Sequence, residues 1–279
     1  MPISFLYCEG NGKSYDIILL SKILLNTKCK IIPLGGRNFI EKIIADRTVN
    51  PNLAGIVDRD FDDYNFTPTN TPIPYNYQGI QVGWKWERKE IENYLIDPLV
   101  VQRTIRNRIP SMEAYREALE KAARQIAVYA AARTALASFK FKNCWGDKIE
   151  NVFSSNHFFP RSLNREACEQ NIREIVNQNK GDRIVTAENV LNRFEELIPL
   201  FKDGVYFENY LTFFAGKDLL CAMKDDLKKF GFQPTARGLN SPIPVFLERI
   251  ITRITPAEDV WTWLPEWQAL RDEFMNIQF

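Results

Sequence analysis

Residues 53–63 read Leu-Ala-Gly-Ile-Val-Asp-Arg-Asp-Phe-Asp-Asp, and this stretch decides the fold. Leu53–Val57 is a short apolar run, and four carboxylates follow it within six residues. An apolar run of this length, closed by polar residues, is typical of a buried strand in a parallel sheet. The carboxyl end of such a strand opens into the crevice where ligands bind. Strand alternation predicts that Asp58 and Asp60 lie on one side and Arg59 on the other.

The carboxylates of Asp58 and Asp60 are candidate ligands of a divalent metal ion. Two neighbouring carboxylates repel each other and raise one another's pKa unless a cation neutralises them. Hard oxygen ligands at the end of a strand suit Mg²⁺ or Mn²⁺ better than zinc. A second interpretation is equally open here, in which these acids serve only as turn residues and a helix cap.

Short strands and helices alternate around this stretch. The predicted strands are 3–8, Cys29–Pro33, Leu53–Val57 and Ile80–Trp86, and the predicted helices are Asp16–Leu25, Asn38–Arg47 and Glu87–Ile96. Residues 64–78 are rich in Pro, Asn, Thr and Tyr and are expected to form an exposed loop. This order predicts an α/β fold with a parallel sheet flanked by helices, formed by residues 1–98.

The rest of the chain has the pattern of a mostly α-helical domain, predicted over residues 99–279. Its predicted helices are Ser111–Phe139, Arg165–Gln178, Thr186–Phe201, Lys217–Phe230, Val245–Thr252 and Trp263–Phe274. Residues 151–160 and 231–244 are expected to be loops.

The composition excludes several kinds of site. Hydrophobic residues make up 45% and charged residues 25%, as in ordinary soluble proteins. The five cysteines include no Cys-x-x-Cys pair, which argues against a disulfide framework and a zinc ribbon. The single histidine, His157, argues against a histidine-bearing triad. No apolar run has the length of a membrane span and no basic segment precedes an apolar one, so we expect a cytoplasmic protein without a membrane partner.

Charge is unevenly spread along the chain. Residues 1–98 carry 11 basic and 12 acidic side chains, whereas residues 99–148 carry 10 and 4. A basic segment beside an acidic site suits an enzyme that acts on a polyanion, although a solvated helical face or a partner-binding face has the same pattern. The candidate contacts to a nucleic-acid backbone are Arg103, Arg106, Arg108, Arg124 and Arg133, and Arg161 and Arg165 near His157 are candidates for a stacking surface.

Glu9 follows the first predicted strand, and the segment after it ends in Gly-Lys-Ser at residues 12–14. That ending matches a phosphate-binding loop, but the motif also needs a glycine where Tyr7 stands, and Glu9 would repel a phosphate. Parallel strands share one direction, so Glu9 is expected at the same edge as Asp58 and Asp60. Three carboxylates at one edge are able to hold one or two divalent ions.

These acidic motifs resemble those of the TOPRIM domain shared by topoisomerases, primases and OLD-type nucleases. Glu9-Gly10 after one strand and Asp58-Arg59-Asp60 after another carry the resemblance, and Trp86-Glu-Arg-Lys-Glu-Ile-Glu-Asn-Tyr-Leu95 resembles the third acidic motif of the OLD-like branch. The chain is most similar to the stand-alone TOPRIM nuclease effectors of PARIS-type anti-phage defence systems, which work with an ATPase partner. The resemblance covers residues 3–98 well and the helical tail loosely.

The resemblance implies an endonuclease that uses Mg²⁺ or Mn²⁺ to hydrolyse phosphodiester bonds in DNA or in structured RNA such as tRNA. It maps the first motif to Glu9, the second to Asp58 and Asp60, and the third to Glu92 with Glu90 as a second candidate ligand. Residues two apart on a helix point about 200° from one another. Either Glu92 alone binds, therefore, or the helix begins after Glu90. A solvated Glu/Lys face is the alternative for this segment.

Further expectations concern the helical domain and the partners. Gly216-Lys-Asp-Leu-Leu220 resembles a lysine element of OLD-type nucleases, so Lys217 is expected to assist catalysis, with residues 216–220 packing back on the site; a plain surface lysine is the alternative. Many OLD-type sites have an acid where this chain has Lys13. The second hypothesis is a latent or non-catalytic module, a regulatory subunit whose Trp261 and Trp263 are covered only by an ATPase partner. A homodimer is a further candidate assembly.

Overall fold

The structure is a computed structural model, and it describes residues 3–12, 14–34, 39–61, 65–149, 152–153, 157–179, 181, 184–233, 241–255 and 259–276. Contacts divide the chain into two units. The sheet unit comprises Met1–Arg59, Thr67–Ile105 and Glu248–Phe279, and the helical unit comprises Asp60–Phe66 and Arg106–Leu247.

A mixed, mostly parallel sheet forms the centre of the sheet unit. Its strands are β1 (Phe5–Cys8), β2 (Lys30–Pro33), β3 (Leu53–Val57), β4 (Ile73–Tyr77) and β5 (Ile80–Lys85). They lie in the order β2-β1-β3-β5-β4, and β4 runs antiparallel to β5 while the other neighbours are parallel. Every residue of β3 is buried, as expected of a strand covered on both faces. The predicted α/β class, with a largely parallel sheet flanked by helices, is confirmed.

Two helices connect the first three strands, α1 (Tyr15–Ile23) and α2 (Phe39–Arg47). One connection runs from β1 to β2 and the other back from β2 to β3, so right-handed crossovers place the two helices on opposite faces of the sheet. Residues of α2 join Tyr7, Leu53 and Val82 in one buried apolar cluster. The parallel pairing of β1 with β3 places the carboxyl ends of both strands at the same edge.

The prediction of an exposed loop over residues 64–78 is wrong for residues 73–77, which form β4. As an edge strand, β4 tolerates Pro74 because one side of the strand needs no ladder hydrogen bond. A two-residue turn joins it to β5, with φ of 50° at Gln78 and 81° at Gly79. Two positive φ values are typical of the type I′ hairpin turn. The Pro- and Asn-rich composition of residues 64–78 therefore did not indicate the β-hairpin that β4 forms with β5.

The predicted helix over Glu87–Ile96 is wrong in extent. Only α3 (Glu92–Leu95) is helical, and α4 (Pro98–Ile105) follows it. Residues 87–91 form a turn that leads from β5 into α3.

The helical unit is organised around the long helix α5 (Met112–Ser138). Its other elements are β6 (Asp147–Ile149), β7 (His157–Phe159), α6 (Arg165–Gln178), α7 (Ala187–Lys202), α8 (Val205–Glu208), α9 (Tyr210–Phe213), α10 (Gly216–Ala222) and α11 (Lys224–Lys229). Helices α6, α7, α8 and α10 pack against α5. Residues 129–136 of α5 are all buried, which is the pattern of a central helix.

The sequence predicts α5, α6 and α7 within one residue of their bounds but misses α8 and α9. The loop predicted over 231–244 lies partly outside the described residues, and residues 242–244 are helical. The helix predicted over Lys217–Phe230 is two helices, α10 and α11, separated at Met223. The loop predicted over 151–160 includes β7, which pairs with β6.

The C-terminal segment belongs to the sheet unit from Glu248 onward, although the sequence assigned residues 99–279 to the helical domain. It contains the end of α12 (Pro242–Arg253), a 3-10 turn at Val260–Thr262 and α13 (Pro265–Asn276). The Trp84 ring of β5 stacks on Phe274 of α13 at 4.8 Å between ring centroids. Among the helices that the structure describes, none is long and apolar enough to cross a membrane.

The first turn of α7 is closed by a capping box. Asn189 N–H donates to Thr186 Oγ1 at 3.3 Å, and Thr186 N–H donates to Asn189 Oδ1 at 2.9 Å. We expect Thr186→Ala to lower the free energy of unfolding by about 1 kcal/mol, because the first-turn amide loses its acceptor. Urea unfolding measures the loss, and Thr186→Ser, which keeps the hydroxyl, is the control. An unchanged midpoint in Thr186→Ala would contradict the role of the cap.

Candidate active site

Glu9 and Asp58 follow neighbouring parallel strands at one edge of the sheet. The register aligns Cys8 with Ile56, so the two acids leave the sheet within one residue of each other. Neighbouring strands lie about 4.8 Å apart. Both acids are half-buried. The structure thus brings Glu9 and Asp58 to the same edge, as the parallel pattern predicts.

Asp60 does not lie on an extension of strand β3, as strand alternation between Asp58 and Asp60 would require. β3 ends at Val57, and Asp60 has a φ of 51°, in the left-handed region. The pleat therefore does not extend to Asp60, so strand alternation does not determine whether it shares a side with Asp58. Asp60 is exposed and belongs to the helical unit. In that unit the next residue, Phe61, has its ring 4.3 Å from the Arg133 guanidinium carbon.

The turn after β5 carries charged side chains into the interior of the sheet unit. Glu87, Lys89, Glu90 and Glu92 are 2%, 1%, 6% and 3% exposed. Removing one ion from water costs several kcal/mol unless partners compensate. A solvated Glu/Lys face is therefore the wrong interpretation of this segment. Buried ionisable groups concentrated in one turn are typical of functional sites.

Helix α3 begins at Glu92, and Glu90 lies in the preceding turn, which is the second of the two alternatives for the start of this helix. Glu90 N–H donates to Asn93 Oδ1 at 3.3 Å, and Asn93 N–H donates to Glu90 O at 3.0 Å. Ile91 between them is in the αR region. Which of Glu90 and Glu92 binds an ion stays a prediction.

The first turn of α1 brings Asp16, an acid that the sequence analysis missed, to the same edge. A Cβ built on Gly10, the residue after Glu9, would lie 3.7 Å from Asp16 Oδ2. Burial, followed by the charges of Asp16 and Glu9, raises the pKa of the Cys8 thiol to about 12. The signal in the sequence was the strand–glycine turn–helix order, since it predicts that the first turn of α1 lies beside the end of β1.

Tyr15 connects this turn with Glu92. Burial, then the charges of Glu248 and Glu92, raise the pKa of the Tyr15 hydroxyl to about 12. The charge of Glu92, in α3, thus acts on Tyr15, the first residue of α1.

Glu87 is held from three directions. Arg59 Nε donates to its carbonyl oxygen at 2.8 Å, and Asn70 N–H donates to both carboxylate oxygens at 3.0 Å. The Glu87 N–H donates to Glu266 Oε1 at 2.7 Å. Because Arg59 directly follows Asp58, these bonds join the end of β3 to the start of the acidic turn.

Glu266 is a buried carboxylate of α13, 3% exposed. The Tyr94 hydroxyl donates to its Oε2 at 2.5 Å. Burial raises the pKa of Glu266 to about 7, against the opposite influence of the Glu87 N–H, the Tyr94 hydroxyl and the Arg88 charge.

Glu266 is expected to make the stability of the protein depend on pH. Its folded pKa of about 7 lies above its ordinary value of 4.5, so between these values the folded state binds more protons than the unfolded state. Its contribution is full below pH 4.5 and is lost as the pH rises through about 7, a change of about 3 kcal/mol. We expect Glu266→Gln, which does not ionise, to gain about that much stability relative to the parent between pH 5 and pH 8. Urea unfolding of both proteins at pH 5 and at pH 8 measures the gain. An equal difference in stability between Glu266→Gln and the parent at the two pH values would contradict the expectation.

Arg133, Asp218 and His157 form a buried charged cluster in the helical unit. Arg133 pairs with Asp218 and donates from Nε to Asn143 O at 2.9 Å, and His157 Nε2 lies 3.1 Å from Asp218 Oδ1. Arg133 and His157 are each 7% exposed. The predicted contact of Arg133 with nucleic acid is therefore wrong, because its side chain is not accessible. Arg161 and Arg165, the candidates for the stacking surface, are exposed, and that surface stays a prediction.

Lys217 lies beside this cluster, on α10, and is half-buried. Its Nζ is 5.9 Å from the centroid of the Phe153 ring. Lys217 directly precedes Asp218, and Asp60 directly precedes the Phe61 that lies under Arg133. Within the helical unit, Lys217 and Asp60 thus border the same ion pair.

The remaining predicted nucleic-acid contacts, Arg103, Arg106, Arg108 and Arg124, are exposed. Arg124 pairs with Glu120 at 2.6 Å and lies over the Phe207 ring at 4.5 Å from its centroid. Their role stays a prediction.

Metal binding also stays a prediction. Within the described ranges, no three His, Cys, Asp or Glu side chains are grouped in positions to hold one ion. Lys13, Asp62 and Asp63 lie outside those ranges. No protein-family model matches the chain, and no curated protein matches its sequence.

Proposed function

We propose that the chain is an Mg²⁺- or Mn²⁺-dependent endonuclease that hydrolyses phosphodiester bonds in DNA or in structured RNA such as tRNA. The observation that carries the proposal is the acidic edge of the sheet unit. Glu9 and Asp58 leave adjacent parallel strands there, and Asp16, in the first turn of α1, lies beside Gly10. The resemblance of the acidic motifs to TOPRIM nucleases of the OLD-like branch supports the same function.

The side chains at this edge fit a hard divalent cation. Mg²⁺ in enzymes commonly takes one or two protein carboxylates and completes its shell with water and substrate phosphates. Glu9 and Asp58 are sufficient for such a site, with Asp16, Glu90 and Glu92 as further ligand candidates. A bound ion would supply an activated water and stabilise charge on the phosphoryl group.

The protein groups would orient the reacting atoms. Glu9 and Asp58 would hold the ion at the sheet edge. The resemblance assigns Lys217 the neutralisation of charge at the scissile phosphate and Asp60 a ligand role. Exposed Arg103, Arg106 and Arg124 would hold the backbone without reading its sequence.

The resemblance extends the proposal to a biological role, the toxic effector of an anti-phage defence system that an ATPase sensor subunit restrains. The second hypothesis remains a latent or non-catalytic module bound to an ATPase partner. Burial of Trp261 and Trp263 only in a complex would support it; within the chain, Trp263 is 4% exposed and Trp261 is half-buried, with Arg271 5.0 Å from its ring centroid.

A cleavage assay tests the proposed function. The purified chain is incubated with duplex DNA or with tRNA, in Mg²⁺, in Mn²⁺ or in EDTA, and Glu9→Ala and Asp58→Ala are assayed alongside. We expect metal-dependent cleavage that both substitutions abolish, and the substrate cut identifies the nucleic acid. Cleavage that survives in both variants would refute the site, and absence of cleavage in every metal and substrate would refute the function.

A further inference from the structure

The acidic turn is anchored at both ends by one carboxylate from a distant helix. Glu266 Oε1 accepts from the Glu87 N–H at 2.7 Å, where the turn begins. Glu266 Oε2 accepts from the Tyr94 hydroxyl at 2.5 Å, in the helix into which the turn runs. Glu90 and Glu92 lie between these two anchors.

We propose that Glu266 is a positioning residue for metal-assisted hydrolysis, which it serves by setting the place of Glu90 and Glu92 relative to Asp58. The proposal rests on the proposed function. Glu87 carries the connection, because its N–H is bound by Glu266 and its carbonyl oxygen by Arg59, the neighbour of Asp58. Displacing Glu87 therefore alters the acidic turn and the end of β3 together.

The attachment of α13 to the sheet unit does not require a carboxylate at position 266. The helix has other attachments to the sheet unit, since Phe274 stacks on Trp84 and Arg271 Nη1 donates to Ile23 O at 2.7 Å. A buried carboxyl group that ionises near neutral pH weakens the fold there. An apolar residue of similar volume is often at least as stabilising as a buried charge. What Glu266 contributes is the hydrogen-bond geometry at Glu87 and Tyr94.

Two substitutions in α13 separate positioning from docking. Glu266→Gln keeps the volume but replaces one acceptor oxygen with a donor. Arg271→Met removes an attachment of α13 without touching the acidic turn. Each is compared with the parent at pH 8 for stability in urea, for Mn²⁺ affinity by calorimetry, and for kcat and the Mn²⁺ concentration that gives half-maximal cleavage.

We expect Glu266→Gln to be at least as stable as the parent, yet to bind Mn²⁺ about tenfold more weakly and to cleave more slowly. Arg271→Met should lose stability and keep the parent's Mn²⁺ affinity. If Glu266 only stabilised the fold, Glu266→Gln would not bind Mn²⁺ more weakly while keeping the stability of the parent.

Several results would overturn the proposal. Parent-like affinity and kcat in Glu266→Gln would do so while leaving the proposed function intact. An equal loss of affinity in Arg271→Met would assign the effect to docking of α13. If Glu266→Gln does not fold, Tyr94→Phe decides, because it removes only one of the two anchors; parent-like affinity there overturns the proposal and weaker affinity supports it. A parent chain that neither binds Mn²⁺ nor cleaves would refute the proposed function itself.

Discussion

Asp58→Asn is expected to lower metal-dependent cleavage by at least about a thousandfold, or about 4 kcal/mol in the activation free energy. The substitution keeps the size of the side chain but removes the negative charge that neutralises the ion. Asp58 follows the central strand β3, whose residues are all buried, so the sheet fixes its backbone position. Glu9→Gln should have a comparable effect, because Glu9 leaves the adjacent strand within one residue of Asp58.

The measurement is single-turnover cleavage in Mn²⁺, with unfolding curves to show that each variant keeps the stability of the parent. Glu41→Gln is the matched control, since Glu41 is an exposed acid of α2 in the same unit. Its cleavage rate should equal that of the parent. If Asp58→Asn and Glu9→Gln cleave as fast as Glu41→Gln, the acidic edge does not hold the reacting ion.

The position of Glu9 and Asp58 was predictable because local signals determine it. A buried parallel strand is a short apolar run, and the residue after it lies at the carboxyl edge whatever the rest of the chain does. β3 matches its predicted bounds, Leu53–Val57, for this reason. Alternation beyond the strand was not predictable in the same way, because the chain leaves the pleat at Val57 and Asp60 adopts a left-handed conformation.

The contacts that the sequence could not reveal join residues far apart in the chain. Glu266 lies 179 residues from Glu87, and in sequence it is an ordinary acid in the first turn of a helix. Arg133 lies 85 residues from Asp218. An arginine in a helix rich in Ala, Glu and Arg has the pattern of a solvated face. Only the position of Asp218 in the folded chain shows that Arg133 is buried.

Breaking the Arg133–Asp218 pair is expected to lower the free energy of unfolding by about 3–5 kcal/mol. The side chains are 9% and 1% exposed, so removing one partner leaves an uncompensated charge in the interior. Burial acts to raise the pKa of Asp218, but the charges and hydrogen bonds of Arg133 and His157 outweigh it and lower the pKa below 3.8. The stabilisation is therefore present above pH 3.8 and is lost as the pH falls through the lower folded value.

Urea unfolding of Asp218→Leu, Arg133→Leu and the double variant Arg133→Leu/Asp218→Leu tests this expectation. Each single variant should lose several kcal/mol, whereas the double variant should recover much of the loss, because neither Arg133 nor Asp218 is left buried without its partner. Single variants as stable as the parent would mean that water reaches the pair in solution. Arg133 would then be accessible to a phosphate, and it would return to the set of nucleic-acid contacts from which its burial now excludes it.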